Sequence, residues 1–234
     1  MLYYIYYNYF GGDLPDDIIT PIDYTVTMSI HNDLTEFEFR LEGIKTEQYD
    51  LNHDKSRYYI FLGIVEISKL TISSQDGSFK QEFTDLSTWT RATEENMYGL
   101  SFDDWNFDGY IDVSLWQYEG GTMRNSPHYY WLWDNVAGAF AENTQLAEMS
   151  DYSTVSVDTE QQQITSFTRY GPEGHGTGYY EYIDGKYVTV KTREDLYELT
   201  EGEDFEYNHR VIIKELIGGE LIITEDYYDY DNEY

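Results

Sequence analysis

The residues best suited to chemistry in this chain lie between Ser101 and Tyr118, in the stretch SFDDWNFDGYIDVSLWQY. Oxygen-bearing residues occur there on alternate positions, and a glycine stands in the middle of the set. Alternate oxygen donors around a glycine are typical of a loop that wraps a calcium ion, because this hard cation takes several oxygen ligands. The predicted ligands are Asp104, Asn106, Asp108, Asp112 and the backbone carbonyl of Tyr110.

The predicted calcium loop differs from an EF-hand at its end. An EF-hand has a bidentate glutamate at the twelfth position, where this sequence has Leu115, and its loop opens into a helix. Here Ile111, Val113 and Leu115 alternate with polar residues, which predicts a strand. A calcium loop that leads directly into a strand resembles the loops of FG-GAP repeats in integrin-type propellers. An acidic turn without a metal is the alternative interpretation.

Other candidate sites in the sequence are less specific. The chain has 45 acidic residues, so pairs of carboxylates suited to a glycosidase arise by chance. Its five histidines are far apart and show no metal-binding spacing, and it has no cysteine, which excludes disulfides and zinc–thiolate sites. We therefore predict a protein without catalytic activity, and glycosidase activity stays open as an alternative.

An aromatic segment, PHYYWLW, follows the loop from Pro127 to Trp133. Flat aromatic faces stack on sugar rings and also serve as anchors for a protein partner. The same residues fit a buried strand, so a binding surface and a core strand both stay open as interpretations. The candidate contacts to a partner or a glycan are His128, Tyr130, Trp131 and Trp133.

The charge of the chain restricts its partners. Its formal net charge is −31, from 45 acidic and 14 basic residues. Such a surface repels nucleic acid and anionic lipid, and it attracts cations and basic proteins. No apolar run is long enough for a transmembrane helix, and the first residues lack the features of a signal peptide. A cytoplasmic location therefore stays open.

The elements that must position the loop are predicted to be mainly β-strands. Period-two alternation recurs in short runs about ten residues apart, with a near-continuous apolar run at 58–67 that suits a central strand. Hairpin turns are predicted at 31–33, 75–77, 184–185 and 218–219, and a glycine-rich bend at 171–178. An antiparallel sandwich, a barrel or a small propeller would accommodate this pattern.

Helical propensity and composition set the remaining boundaries. Only residues 137–149 have fair helical propensity, which predicts one short helix there. No change in composition marks a linker between domains. We predict a loose lead-in at residues 1–23, a single β domain at 24–226 and an acidic tail at 227–234.

The order of these segments resembles that of small bacterial envelope proteins related to calcium-binding immunity proteins. Those immunity proteins guard a cell against cell-wall-lysing effectors delivered by type IV secretion, and they are similar to periplasmic inhibitors of invertebrate-type lysozyme. The resemblance covers about residues 58–195. It is carried by the segments 104–112, 127–133, 145–149, 163–166, 180–182 and 184–186.

The resemblance implies a small β-propeller-like fold with one bound calcium ion, in the bacterial cell envelope or secreted. It also implies that the protein binds and inhibits a cell-wall-lytic enzyme, and a basic peptidoglycan hydrolase would suit the acidic surface. The sequence departs from the family in lacking a signal peptide and a lipobox cysteine, and no inhibitory loop can be matched residue by residue. A carbohydrate-binding or adhesive module that uses the aromatic segment is the alternative function.

Overall fold

The computed structural model describes residues 17–51, 58–118, 126–199 and 207–229. These residues form three antiparallel sheets, and in each sheet neighbouring strands follow one another along the chain. The prediction of an all-β fold is confirmed, whereas the propeller-like arrangement stays a prediction. Among the helices in these ranges, none is long and apolar enough to cross a membrane.

The first sheet has the order β1-β2-β3-β4. The hairpin predicted around residues 31–33 is confirmed, because Val26 lies opposite Phe39 in the β1–β2 ladder. The apolar run at 58–67 lies in β3, which pairs with β2 and β4 as a central strand. The strands are β1 (Ile18–Met28), β2 (Phe37–Leu51), β3 (Tyr58–Ser74) and β4 (Lys80–Phe83).

The middle sheet has the order β5-β6-β7-β8 and is followed by helix α1. The helix occupies only the second half of the predicted range 137–149, and it begins after Asn143, whose side chain accepts a hydrogen bond from the Leu146 N–H. The first half contains β8 instead, because pairing of Phe140 with Trp133 overrides local propensity. The elements are β5 (Leu100–Asp103), β6 (Asp112–Trp116), β7 (His128–Asp134), β8 (Ala139–Glu142) and α1 (Thr144–Ser150).

The third sheet has the order β14-β13-β12-β11-β10-β9. Its hairpin turns at 184–185 and 218–219 confirm the sequence prediction. The predicted glycine-rich bend is restricted to a 3-10 turn at 171–173, and the glycines after it belong to β11. The strands are β9 (Thr154–Asp158), β10 (Gln163–Arg169), β11 (Gly174–Ile183), β12 (Lys186–Leu199), β13 (Tyr207–Ile217) and β14 (Glu220–Asp229).

Strand structure extends into both of the predicted flanking segments. β1 begins at Ile18, inside the lead-in predicted at 1–23, and β14 ends at Asp229, inside the tail predicted at 227–234. Pro21 lies within β1, which is an edge strand and therefore tolerates a residue without an N–H. Residues 1–16 and 230–234 lie outside the described ranges.

The middle sheet has a hydrophobic core on each of its faces. Trp131 and Trp133 of β7 pack into a core shared with the first sheet. Tyr130 and Leu132, which alternate with them, pack into a second core shared with α1 and the third sheet. β7 therefore connects the two cores of the described residues.

A buried carboxylate, Asp195 of β12, connects three strands of the third sheet through polar contacts to β11 and β13. Asp195 is almost fully buried and accepts hydrogen bonds of 2.8 Å from both Nε and Nη2 of Arg193. Its Oδ1 also lies 2.9 Å from Nε2 of His209, and its Oδ2 lies 3.5 Å from Nε2 of His175. Burial alone would raise the pKa of Asp195, but these partners outweigh it and the pKa is lowered.

We expect Asp195→Asn to lower the free energy of unfolding by about 2 kcal/mol at pH 7, because it leaves Arg193 without its buried carboxylate. Since the folded pKa of Asp195 is lowered, its contribution is present above the unfolded pKa of about 4 and is lost as the pH falls through the folded value. Denaturant unfolding at pH 7 and pH 3 measures this. A difference between variant and parent that is equal at both pH values would contradict the prediction.

Candidate functional site

The predicted calcium ligands lie on the loop between β5 and β6, with Asp112 as the first residue of β6. The loop leaves and re-enters one short ladder, in which Asp103 lies opposite Asp112. Gly109 has a φ of 88°, a conformation that side chains disfavour, which explains a glycine in the middle of the set. The local sequence therefore encodes a tight reversal of the chain.

The structure brings Asp104, Asn106 and Asp108 together through the backbone of the loop. Asp104 Oδ1 accepts a hydrogen bond of 3.1 Å from the Asp108 N–H, and its Oδ2 accepts one of 2.9 Å from the Gly109 N–H. Asn106 Oδ1 also accepts from the Asp108 N–H, and Asp108 Oδ1 accepts from the Tyr110 N–H at 2.9 Å. The side-chain oxygens of all three residues therefore face the inside of the turn.

Asp112 is a fully buried carboxylate that connects the loop to β7. Its Oδ2 accepts a hydrogen bond of 2.9 Å from the Trp105 N–H, and its Oδ1 accepts one of 2.8 Å from the Trp133 N–H. Burial raises the pKa of Asp112 to about 8 against the effect of these bonds, and the negative charges of Asp108 and Asp104 raise it further. A carboxyl with this pKa is mostly protonated at pH 7, so ionisation of Asp112 in its folded position is unfavourable.

The loop also contacts the first sheet. The ring of Tyr110 stacks on the ring of His31, with centroids 4.2 Å apart, and the Ile111 N–H donates a hydrogen bond of 2.8 Å to the Ile30 carbonyl. His31 and Ile30 belong to the turn region between β1 and β2. The proposed ligand role of the Tyr110 carbonyl stays a prediction.

The hairpin β11–β12 brings the third sheet to the same loop. The hydroxyl of Tyr187 donates a hydrogen bond of 3.1 Å to the Trp105 carbonyl. Burial raises the pKa of Tyr187, and so does the nearby charge of Asp112. Gln145 of α1 holds this end of the hairpin, because its amide bonds both the N–H and the carbonyl of Tyr187. The loop is thus in contact with all three sheets.

Sequence reasoning did not identify Tyr182, Tyr187 and Gln145 as neighbours of the loop. The Asp184–Gly185 turn did predict the hairpin, but nothing local shows where a hairpin tip will pack. Burial raises the pKa of Tyr182, and the charges of Asp108 and Asp112 add to the effect.

Two clefts of about 420 and 410 Å³ flank the loop. Asn106 and Tyr182 line both of them, and the second also has the carboxylates of Asp108, Asp134 and Glu142 on its wall. The first cleft is mainly polar, whereas the second combines carboxylates with apolar residues such as Leu132 and Val136, and both are open to solvent.

The donor types of the loop fit calcium. Carboxylate and amide oxygens are its preferred ligands, and a carboxylate oxygen that accepts one N–H bond keeps a second lone pair. Among the residues that the structure describes, no three histidine, cysteine, aspartate or glutamate side chains lie close enough together to hold a metal ion. The donor types of the loop therefore suit calcium, but the described arrangement does not bring three acidic side chains to one point.

The candidate partner or glycan contacts on β7 require correction. Tyr130, Trp131 and Trp133 are at most 5% exposed, because both faces of β7 lie in hydrophobic cores. They are packing residues: Trp131 lies against Phe83, and Trp133 lies against Phe140. The carbohydrate-binding alternative thereby loses its aromatic surface.

His128, the fourth of these candidates, is half-buried at the start of β7. Burial lowers its pKa, and its Nδ1 lies 2.5 Å from the Ser126 carbonyl. Its ring also stacks over Trp116, with the centroids 6.4 Å apart. These contacts are those of a structural histidine.

Comparison with known proteins adds one likeness. No protein-family model and no curated protein sequence matches the chain. The chain is similar to the solved structure of a Xanthomonas type IV secretion system related protein, at 16% identity and a TM-score of 0.49, over 87% of this chain and 99% of that chain. Because the TM-score is below 0.5, this likeness assigns neither a fold family nor a function.

We expect Asp112→Ala to lower the free energy of unfolding by about 3 kcal/mol, because the buried N–H groups of Trp105 and Trp133 lose their acceptor. Asp112→Asn keeps one acceptor oxygen, so its free energy of unfolding should lie between those of the parent protein and of Asp112→Ala. Glu160→Ala, which removes an exposed carboxylate from a turn, is the matched control and should change stability by less than about 0.5 kcal/mol. Equal denaturation midpoints for Asp112→Ala and Glu160→Ala would contradict the role of Asp112 as the acceptor for the two buried N–H groups.

We expect Tyr187→Phe to lower the free energy of unfolding by about 1 kcal/mol, since it removes the hydrogen bond between the loop and the third sheet. Tyr179→Phe in β11 removes a hydroxyl for which the structure shows no hydrogen bond and is the control. Chemical denaturation of both variants compares them directly. If the two variants are equally stable, the hydrogen bond between Tyr187 and the Trp105 carbonyl does not contribute to stability and the prediction is wrong.

Proposed function

We propose that this chain is a non-catalytic, calcium-binding β protein that binds a basic partner protein. The observation that carries the proposal is the buried carboxylate of Asp112 at the loop where the three sheets meet. Its pKa is raised to about 8 by burial and by the carboxylates of Asp108 and Asp104. In the described part of the chain, no lysine or arginine forms an ion pair with these three residues.

Calcium would be held by Asp104, Asn106, Asp108, Asp112 and the carbonyl of Tyr110. A divalent cation supplies the positive charge that the loop lacks and so offsets repulsion among its carboxylates. Because the loop contacts every sheet, stabilising it stabilises the packing of the sheets against one another. The role proposed for calcium is therefore structural.

Calcium should raise the thermal midpoint of the protein, with a stabilisation of about 2.7 kcal/mol when free calcium is a hundred times the dissociation constant. Chelation should reverse the effect. Asp108→Ala should abolish the response, since Asp108 lies exposed on the loop and bonds only to loop residues, whereas Glu160→Ala should retain it. Thermal unfolding with calcium, magnesium and chelator measures this. An identical midpoint with calcium and with chelator would remove calcium from the proposal.

The net charge of −31 supports a basic partner, because complementary charge accelerates association and suppresses wrong partners. The resemblance of the loop and of the segments after it to envelope immunity proteins names the partner class as a cell-wall-lytic enzyme. A basic peptidoglycan hydrolase meets both conditions. The proposed location is the bacterial cell envelope or the exterior, with the cytoplasm as the alternative.

Lytic assays test the proposed partner class. Added protein should slow peptidoglycan hydrolysis by at least one basic lytic enzyme, and the inhibition should weaken at high salt, because screening reduces attraction between charged surfaces. Invertebrate-type lysozyme is the first enzyme to test, and an unrelated acidic protein of similar charge is the control. Unchanged hydrolysis across basic lytic enzymes, or equal inhibition by the control protein, would contradict the proposal.

A further inference from the structure

β14 is a long edge strand that the described residues leave uncovered. It pairs with β13 along one side, and nine of its ten residues are exposed. A strand at the edge of a sheet presents unpaired N–H and C=O groups to which another chain can add. β14 therefore has the backbone chemistry of a docking site.

The other edge strands of the described sheets are short or blunted. β4, β5 and β8 have four residues each, and β9 has five. β1 is long but contains Pro21, which has no N–H to offer a partner strand. β14 has ten residues and no proline, so it is the edge best able to form a long ladder with another chain.

Apolar side chains occur on both faces of β14. Ile222 lies opposite Glu215 and Ile223 opposite Lys214, and successive residues of a strand point to opposite faces. Ile222 is 45% exposed and Ile223 is 53% exposed. Neighbouring exposed apolar residues of this kind mark interaction sites on soluble proteins. Leu216, Ile217 and Leu221 lie near them and are also exposed, and Tyr227 and Tyr228 are exposed farther along the strand.

The charge of β14 indicates what kind of segment would pair with it. The strand carries four carboxylates and no basic residue. Asp226 is bound by Arg210 of β13 and Asp229 lies 3.7 Å from His209, whereas no ion pair among the described residues engages Glu220 or Glu225. A second copy of this chain would place these carboxylates along the same ladder as their own equivalents, and like charges across a ladder are destabilising. A segment with lysine or arginine among apolar residues would instead pair favourably.

We propose that β14 binds an extended segment of a basic protein by strand addition. The segment's backbone pairs with the edge of β14 over residues 220–227, its apolar side chains cover Ile222 and Ile223, and its basic side chains approach Glu220 and Glu225. This assignment rests on the basic partner proposed above and adds the surface that receives it.

A labelled ten-residue peptide of alternating lysine and valine is the probe. We expect it to bind the full chain, and a version with proline in place of alternate valines to bind at least about tenfold more weakly, because proline cannot form the ladder. An alternating glutamate and valine peptide should also bind at least about tenfold more weakly. Hydrogen exchange should show new protection confined to β14 when the lysine and valine peptide is bound.

Ile223→Lys should weaken binding of the probe by at least about tenfold, because it places a like charge at the edge. Ile19→Lys is the matched control: it adds the same charge at an exposed isoleucine of β1, in the first sheet, and should weaken binding by no more than about twofold. The thermal midpoint of each variant shows whether it is folded. Sedimentation of the chain without peptide reports its oligomeric state.

Three results would overturn the assignment of β14. Binding that Ile223→Lys leaves unchanged, or protection on another strand, would move the basic partner to a different surface without affecting the proposed function. A dimer that protects β14 in the absence of peptide would make a second copy the occupant. Failure of the lysine and valine peptide to bind would exclude strand addition, while the lytic assays would still test the basic partner independently.

Discussion

Asp112 places a carboxylate with no exposed surface between two strands and a loop, and each of its oxygens accepts a backbone N–H. These bonds satisfy the N–H groups of Trp105 in the loop and of Trp133 near the end of β7, which would otherwise be buried without acceptors. The cost of burying the carboxyl group is thereby partly offset. Trp105, which one of these bonds fixes, in turn presents its carbonyl to Tyr187 of the third sheet. One acidic side chain thus fixes the loop that contacts all three sheets, in addition to the two hydrophobic cores that pack them together.

The charge distribution of the rest of the chain explains why this carboxylate has no basic partner of its own. Lysines and arginines on the strands are used in pairs across neighbouring strands, as between Arg40 and Asp23 or between Lys214 and Glu194. The described lysines and arginines do not pair with the loop, and the carboxylates there raise one another's pKa. The calcium ion proposed above would supply the positive charge that the described lysines and arginines do not bring to the loop.

Alternation and turn chemistry predicted much of the fold. The strands around Phe39, the hairpins at Asp184–Gly185 and Gly218–Gly219, and the loop of Asp104 to Asp112 were all predicted, because each is determined by neighbouring residues. The prediction of a glycine-rich bend over residues 171–178 was wrong for residues 174–178, and the reason is tertiary packing. The Tyr170 side chain lies over Gly176, so the glycine makes room for a packed ring within a strand and does not mark a turn.

The candidate site was predicted only as far as its own loop. An aromatic run such as that of β7 has the same composition whether it is core or surface, and only the presence of sheets on both sides decides that Trp131 and Trp133 are buried. The contact of Tyr187 with Trp105 joins residues far apart in the chain and has no local signal. Long-range packing therefore determined which of the sequence's aromatic residues serve the site. It placed Tyr187 of a hairpin tip against the loop, where its hydroxyl bonds to the Trp105 carbonyl, and it buried Trp131 and Trp133 in the cores.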